Sequence, residues 1–262
     1  MIVKNKVAVI YGAGGAVGGA VARAFAREGA KLFLTGRLRE PVEMVAKDIV
    51  AAGGSAEVAK VDALDEQAVD RHLQSVIDKA GRVDISFNAI GIRHTGIVGV
   101  PLVELEVEKF SLPIISYATS YFLTARLAAR AMVVNKSGVI MTVTAPPSRT
   151  GTPLVGGYSS AMAAKESLTR SLSAELAPHG IRVVNLRPHA MPETASIQEV
   201  FNLKAATLMT WEQWQEALAS RTHTRRLMTL TELANVAVFM ASDQASGLTG
   251  TTVNLTMGSL DD

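Results

Sequence analysis

The sequence predicts an α/β protein built as a single domain: one doubly wound, mostly parallel sheet with a short helical lid over the strand ends. Three observations carry this. Short apolar runs alternate with helical patterns along the chain, the signature of β-α-β units with right-handed crossovers. The chain has 262 residues, 48% of them apolar, which is enough to bury one large core. Near the N-terminus an apolar run, a glycine cluster and an amphipathic pattern follow one another within residues 7–29.

That first unit sets the plan. Val7–Tyr11 (VAVIY) fits a buried parallel strand, and Val17, Val21, Ala24 and Phe25 mark one apolar face of a helix. Between them GAGGAVGG makes a tight turn that aims free backbone N–H groups and a positive helix end at one point, where a pyrophosphate fits. Gly12 is expected to make the turn, Gly14 to let the backbone approach phosphates, and Gly18 to let the helix pack close to the strand. The competing reading is a glycine-rich turn with no ligand.

A second strand, residues 31–35, ends at Gly36-Arg37, where a sheet of this kind meets the adenosine ribose. A carboxylate there would take the free 2′-hydroxyl of NAD; Arg37, with Arg39 close by, favours the 2′-phosphate of NADP instead. Charge-assisted hydrogen bonds of that kind are worth roughly 1.5–3 kcal/mol. The alternative is a solvated loop arginine. A helix over residues 42–52 leads to a third strand, residues 56–61, which delivers Asp62 either to the adenine pocket or to a turn or helix start. A helix over residues 66–80 and a strand over residues 83–87 then run into Asn88-Ala89-Ile90-Gly91, where Gly91 again permits close approach to a ligand.

Residues 102–110 and 114–133 read as helices, with Pro113 in the first turn of the second. The second is more apolar than one side of a monomer needs, so it is read as a subunit interface, a wholly buried helix being the alternative. The fifth strand spans residues 138–143. A loop containing Thr144, Ala145 and Ser148 follows, and then Tyr158 at the head of a helix to about residue 177. Residues 181–188, ending at Pro188, and residues 248–255 give the last strands. The segment of about 189–224, with both tryptophans, stands where an insertion covers the strand ends, and is read as a mobile substrate lid. A solvated helical pair is the bland reading.

Composition narrows the classes. There is no cysteine, which removes disulfides, thiolate chemistry and cysteine zinc sites, and suits a cytoplasmic location. No signal segment is read before the first strand and no apolar run spans a bilayer, so a soluble protein without a membrane partner is expected. The net charge of +2 is dispersed, which argues against nucleic acid as a partner. The five histidines, His72, His94, His179, His189 and His223, show no metal spacing and read as isolated surface or loop residues, so no metal is expected.

Taken together, GAGGAVGG, Asp62, residues 88–91, Tyr158 ahead of AAKESLTRSLSAELAPHGIRV, and ELANVAVFMASDQASGLTG resemble the short-chain dehydrogenases/reductases over nearly the whole chain. The resemblance implies a Rossmann fold, NAD(P)-dependent carbonyl or alcohol chemistry on a small-molecule substrate, and a homodimer or homotetramer. It adds Gly15, Val17 and Pro188 to Gly12, Gly14, Gly18, Arg37, Asp62, Asn88 and Gly91 as cofactor residues. The departures are as informative. Tyr11 stands where the family has threonine, Ala16 where it has glycine, and Ala89-Ile90 where it has Asn-Ala.

The family's catalysis uses Asn, Ser, Tyr and Lys. Tyr158 matches the tyrosine. Ala145 occupies the serine position, with Thr144 and Ser148 the nearest hydroxyls. Met162 occupies the lysine position, and the helix asparagine falls at about Ser116 or Tyr117. A tyrosine of pKa about 10 must fall by roughly 3 to act as a base near neutrality, about 4 kcal/mol that a neighbouring cation normally supplies. Lys165, seven residues after Tyr158, has the spacing found in the enoyl reductases of fatty-acid synthesis, yet counting back from Gly180 it is displaced by three helical residues. Three residues mean about −60° and ~4.5 Å, which leaves Lys165 either at full stretch toward the ribose or solvated on its helix.

The leading expectation is an NADP(H)-dependent reductase of a carbonyl substrate. In it Tyr158 is the acid, Thr144 or Ser148 holds the oxygen, and Lys165 or water serves as relay. An enoyl reductase, and a cofactor-binding sensor or partner subunit without turnover, are the alternatives.

Overall fold

The structure is a computed structural model describing residues 1–261; Asp262, the last residue of the expected domain, lies outside the described residues. Seven strands form one wholly parallel sheet in the order β3-β2-β1-β4-β5-β6-β7. They are β1 (Val7–Tyr11), β2 (Lys31–Gly36), β3 (Ser55–Lys60), β4 (Ile85–Asn88), β5 (Gly138–Val143), β6 (Ile181–Pro188) and β7 (Thr251–Leu255). The helices are α1 (Ala16–Arg27), α2 (Arg39–Ala51), α3 (Glu66–Ala80), α4 (Val107–Ile114), α5 (Ser120–Asn135), α6 (Tyr158–Leu176), α7 (Ala195–Lys204), α8 (Trp211–Ala219) and α9 (Leu230–Ala241). The expected doubly wound architecture is therefore present, with a sheet more uniformly parallel than expected.

Side-chain alternation explains why the strands read as unbroken apolar runs. Along β1, Ala8 and Ile10 enter a core with Val21 and Phe25 of α1, Ile49 of α2 and Leu233 of α9. Val7, Val9 and Tyr11 enter a second core with Leu73 of α3, Tyr121 of α5 and Leu172 of α6. Both faces of the sheet are thus covered, as a parallel sheet requires. Tyr11 pairs with Thr35 on one side and Asn88 on the other, which levels the carboxyl ends of β1, β2 and β4. The strand order reverses at β1, so the crevice there is the natural ligand site of this topology.

Several element boundaries depart from expectation, α2 beginning at Arg39 and β4 at Ile85 among them. The region expected as two helices over residues 102–110 and 114–133 is a continuous rod. It consists of α4, a π-turn over Ile115–Thr119 and α5, with Pro113 inside α4 rather than opening a helix. Proline removes one backbone donor, and the wider π-turn that follows accommodates the shifted bonding. Residues 101–104 form a turn closed by Glu104 N–H on the Pro101 carbonyl, so helix begins only at Val107. The last strand begins at Thr251, not residue 248, because Gly250 sits at φ +66° and turns the chain first. Among the described residues no helix is long and apolar enough to cross a membrane.

Candidate active site

A cleft of about 480 Å³ follows the carboxyl edge of the sheet from the glycine turn to Tyr158. At one end Gly12 has φ +78°, and a Cβ there would stand 2.6 Å from the Ala89 carbonyl oxygen. Gly18 is equally constrained, since a Cβ would fall on the Gly12 carbonyl. These two glycines make the turn and seat α1 against it, as the sequence predicts. Gly14 has its back to α2: a Cβ would meet Pro41 Cβ at 2.8 Å. Gly12, Gly14, Gly15 and Val17 all line the cleft, and Gly15 precedes the first turn of α1. The unpaired N–H groups of that turn face a cradle of small residues, and the residues present fit a dinucleotide pyrophosphate.

Arg37 and Asp62 line the same cleft at the ends of β2 and β3, both exposed. Arg39 is tied to Glu43 at 2.6 Å, whereas Arg37 makes no ion pair among the described residues. Asp62 accepts the Leu64 N–H at 3.0 Å and so acts as the turn residue that was the alternative to an adenine contact, while the cap of α3 is Asp65 rather than Asp62. Asn88 is 1% exposed; its amide donates to Thr124 Oγ1 of α5 and its oxygen accepts from Ile90 N–H. It holds the turn whose Ala89, Ile90 and Gly91 form the cleft wall. Pro188 closes β6, buried and paired with Leu255, outside the cleft.

At the other end Tyr158 opens α6 and stands half-buried in the cleft wall, with Met162 one helical turn later, buried and also lining it. The Tyr158 ring lies perpendicular to His94 at 5.5 Å and to Tyr117 of the π-turn at 5.7 Å. Tyr117 is fixed by accepting the Ile92 N–H at 3.3 Å. Burial and the adjoining Tyr117 push the Tyr158 phenol above its ordinary range, and burial pushes Tyr117 up to about 12. Tyr158 is therefore a protonated phenol at neutral pH.

Of the remaining sequence-selected residues, Thr144 lines the cleft, whereas Lys165 and Ser148 do not. Lys165 is 1% exposed, so it is not a solvated helix lysine. Its Nζ donates to the Val143 carbonyl at 2.7 Å and lies over the rings of Tyr117 and Tyr121 at 5.6 and 5.8 Å. Burial lowers its pKa to about 7. Thr144 and Ser148 both donate to Glu166 Oε1, at 3.0 and 2.6 Å, and Arg187 Nε joins them there at 3.0 Å. Asn185 donates in turn to Thr144 Oγ1 at 2.7 Å. Glu166 and Arg187 are 4% and 2% exposed, so this is an interior network behind the cleft.

Sequence reasoning missed that network, because Glu166 and Arg187 carry no motif and read as ordinary surface charges. His94 and His189 lie in loops, as expected, but are buried there, 5% and 9% exposed. The apolar neighbours Ile97 and Val98, both buried, were the available signal for His94. The lid segment contributes Thr194, Ala195 and Ser196 to the cleft. Its Glu199 accepts the His94 N–H at 3.1 Å and the Thr95 hydroxyl at 2.9 Å, and Lys204 donates to the Pro153 carbonyl at 2.8 Å. Phe201, Trp211 and Trp214 stack outside it, with centroids 5.2–5.5 Å apart. No metal-holding cluster occurs among the described residues.

Comparison with known proteins agrees with this geometry. A family model described as Enoyl-(Acyl carrier protein) reductase matches residues 12–259. An uncharacterized oxidoreductase of Bacillus subtilis, YxbG, is 31% identical over 247 residues, covering 94% of this chain and 88% of that protein. The crystal structure of an NAD+-bound xylitol dehydrogenase superposes with a TM-score of 0.89 at 24% identity, covering 95% of this chain and 97% of the other. A tryptophan variant of an actinorhodin polyketide ketoreductase with NADPH does so with 0.88 at 22%, covering 97% of each. Related folds thus carry either nicotinamide cofactor. With its sheet order, its glycine dock and these matches, the chain belongs to the short-chain dehydrogenase/reductase family and is an oxidoreductase of that type.

Proposed function

We propose that the protein is an NADP(H)-dependent reductase of a small carbonyl substrate, with Tyr158 as proton donor. The observation that carries this is the placement of Tyr158: a phenol in the cleft wall at the head of α6, with Met162 rather than a cation one turn away. A general acid is what such a phenol can be; a base would need the charge that is missing. The dinucleotide, when bound, supplies the hydride. The chain's own residues do the rest. Gly12, Gly14, Gly15 and Val17 hold the pyrophosphate, Arg37 takes the 2′-phosphate, and Tyr158 Oη gives its proton to the substrate oxygen.

The proposal includes the lid as a movable cover that excludes water, and a homo-oligomer joined through the α4–α5 rod. Ile115 and Phe122 of that rod remain 56% and 40% exposed, which supports the second point. Thr144 and Ser148 are both tied to Glu166, but Thr144 also lines the cleft and stands in its wall, whereas Ser148 supports that wall from behind.

A second reading, reduction of a conjugated C=C bond, draws on the description of the matching family model. The test for both is NADPH oxidation with a panel of saturated ketones, conjugated enones and enoyl thioesters. Turnover on ketones, reduced by about 10²–10⁴-fold in Tyr158→Phe, is expected. Turnover confined to the enoyl compounds selects the second reading. Ketone turnover that survives Tyr158→Phe overturns the role of Tyr158.

A further inference from the structure

Each reduction takes one proton from Tyr158, and Lys165, the side chain the sequence offered as relay, is engaged elsewhere with the Val143 carbonyl. Two titratable rings pack on that of Tyr158: Tyr117, whose oxygen accepts the Ile92 N–H, and His94. The His94 ring stands perpendicular to that of Tyr158 at 5.5 Å, lines the cleft, and is 5% exposed. Its Nδ1 is buried without a hydrogen bond and lies 3.6 Å from Glu199 Oε2 of α7. Through Oε1 the same carboxylate accepts from the backbone N–H of His94 and the hydroxyl of Thr95.

We infer that His94, held by Glu199, returns the proton to Tyr158, so that Glu199, His94 and Tyr158 form a relay completed by the lid helix. The inference rests on Tyr158 being the proton donor. Its bookkeeping closes on protons alone. Tyr158 loses its Oη proton to the substrate oxygen, an imidazolium at His94 passes its proton to the phenolate, and His94 takes a replacement from water. Glu199 carries the opposite charge while the imidazolium exists. A carboxylate on one ring nitrogen both orients an imidazole and stabilises its cation. The 3.6 Å separation is a loose contact of the kind that tightens when a substrate or lid seats.

The charged or titratable groups facing His94 are Glu199 from α7 and Tyr158 from α6, with Arg93 exposed on its own loop; Tyr117 of the π-turn packs on Tyr158 instead. Burial lowers the His94 pKa, and Glu199 partly restores it. Return of the proton needs the cation, so reduction should slow as pH rises through and above the His94 range.

The test has two arms on the full chain. In the first, NMR follows the His94 imidazole against pH without substrate. Glu199→Gln should move its midpoint down by at least half a pH unit; an unmoved midpoint overturns the Glu199 half of the relay. In the second, kcat for ketone reduction is followed against pH. His94→Gln should cost at least tenfold in kcat, erase the alkaline fall, leave NADPH affinity within twofold, and respond to added imidazole in His94→Gly. A His94→Gln protein with wild-type kcat and pH profile overturns the inference. Should His94 variants fail to fold, Glu199→Gln carries the second arm, with a smaller loss and an alkaline limb shifted to lower pH; an unshifted limb overturns the relay. Turnover surviving Tyr158→Phe would show instead that the parent reading had failed, with the first arm unaffected.

Discussion

The two ends of the cleft are built from different materials. The dinucleotide end is made of backbone: a glycine at positive φ, a helix seated on a carbonyl, and donors with no side chain between them and a ligand. Tyr11 points into the core below it, and Ala16 opens α1 and adds only a methyl to the cleft wall. The Tyr158 end is made of side chains, so the identity of each residue there sets what the wall can do. Around it the polar groups form a buried Glu166–Arg187 network and a separate His94–Glu199 contact. A backbone site asks for shape; a side-chain site asks for particular residues.

The sharpest way to break this comparison is to give the backbone end a side chain. Gly18→Val places atoms on the Gly12 carbonyl and should cost NADPH more than a hundredfold in affinity, or prevent folding outright, as read by fluorescence titration and circular dichroism. Ordinary affinity in that variant would mean that the turn is not the dock.

A smaller effect is expected at the network. Glu166→Ala removes the acceptor shared by Thr144, Ser148 and Arg187, and should lower unfolding stability by about 3 kcal/mol in urea titrations, with Thr144→Val milder. Stability within a few tenths of wild type would show that the three donors find other partners.

Lys165 separates the two ends by pH. Its pKa is depressed to about 7 in the folded chain, against about 10.5 when unfolded. Between those values the unfolded chain binds more protons, so stability should climb as pH rises from about 7 toward 10, by an amount on the order of a few kcal/mol. Above 10 the buried tyrosines reverse the trend, since their raised pKa values favour the unfolded phenolates. Lys165→Met should flatten the climb. The smallest effect concerns cofactor choice: Arg37→Ser should shrink the NADPH over NADH preference by about tenfold, measured as a ratio of dissociation constants.

Legibility in the sequence follows the same division. Strand β1, the glycine turn, helix α3 at its stated limits and strand β6 are set by local patterns, and a reader of the residues finds them. The π-turn escapes such a reading because nothing but Pro113 announces it, and the helix around it is apolar on both sides. Lys165, Glu166 and Arg187 are hard to read for a common reason. Charge suggests solvent, and only the three-dimensional meeting of α6 with the ends of β5 and β6 shows a buried partner for each. His94 belongs with them: one histidine in a loop has no pattern until Tyr158 and Glu199 arrive from α6 and α7.

The most direct test of the division between dock and chemistry is a paired measurement on Tyr158→Phe: the dissociation constant for NADPH and kcat for ketone reduction on the same preparation. The expected result is NADPH affinity within twofold of wild type, with kcat lowered at least a hundredfold. Unchanged turnover, or affinity and turnover lost together, would contradict it.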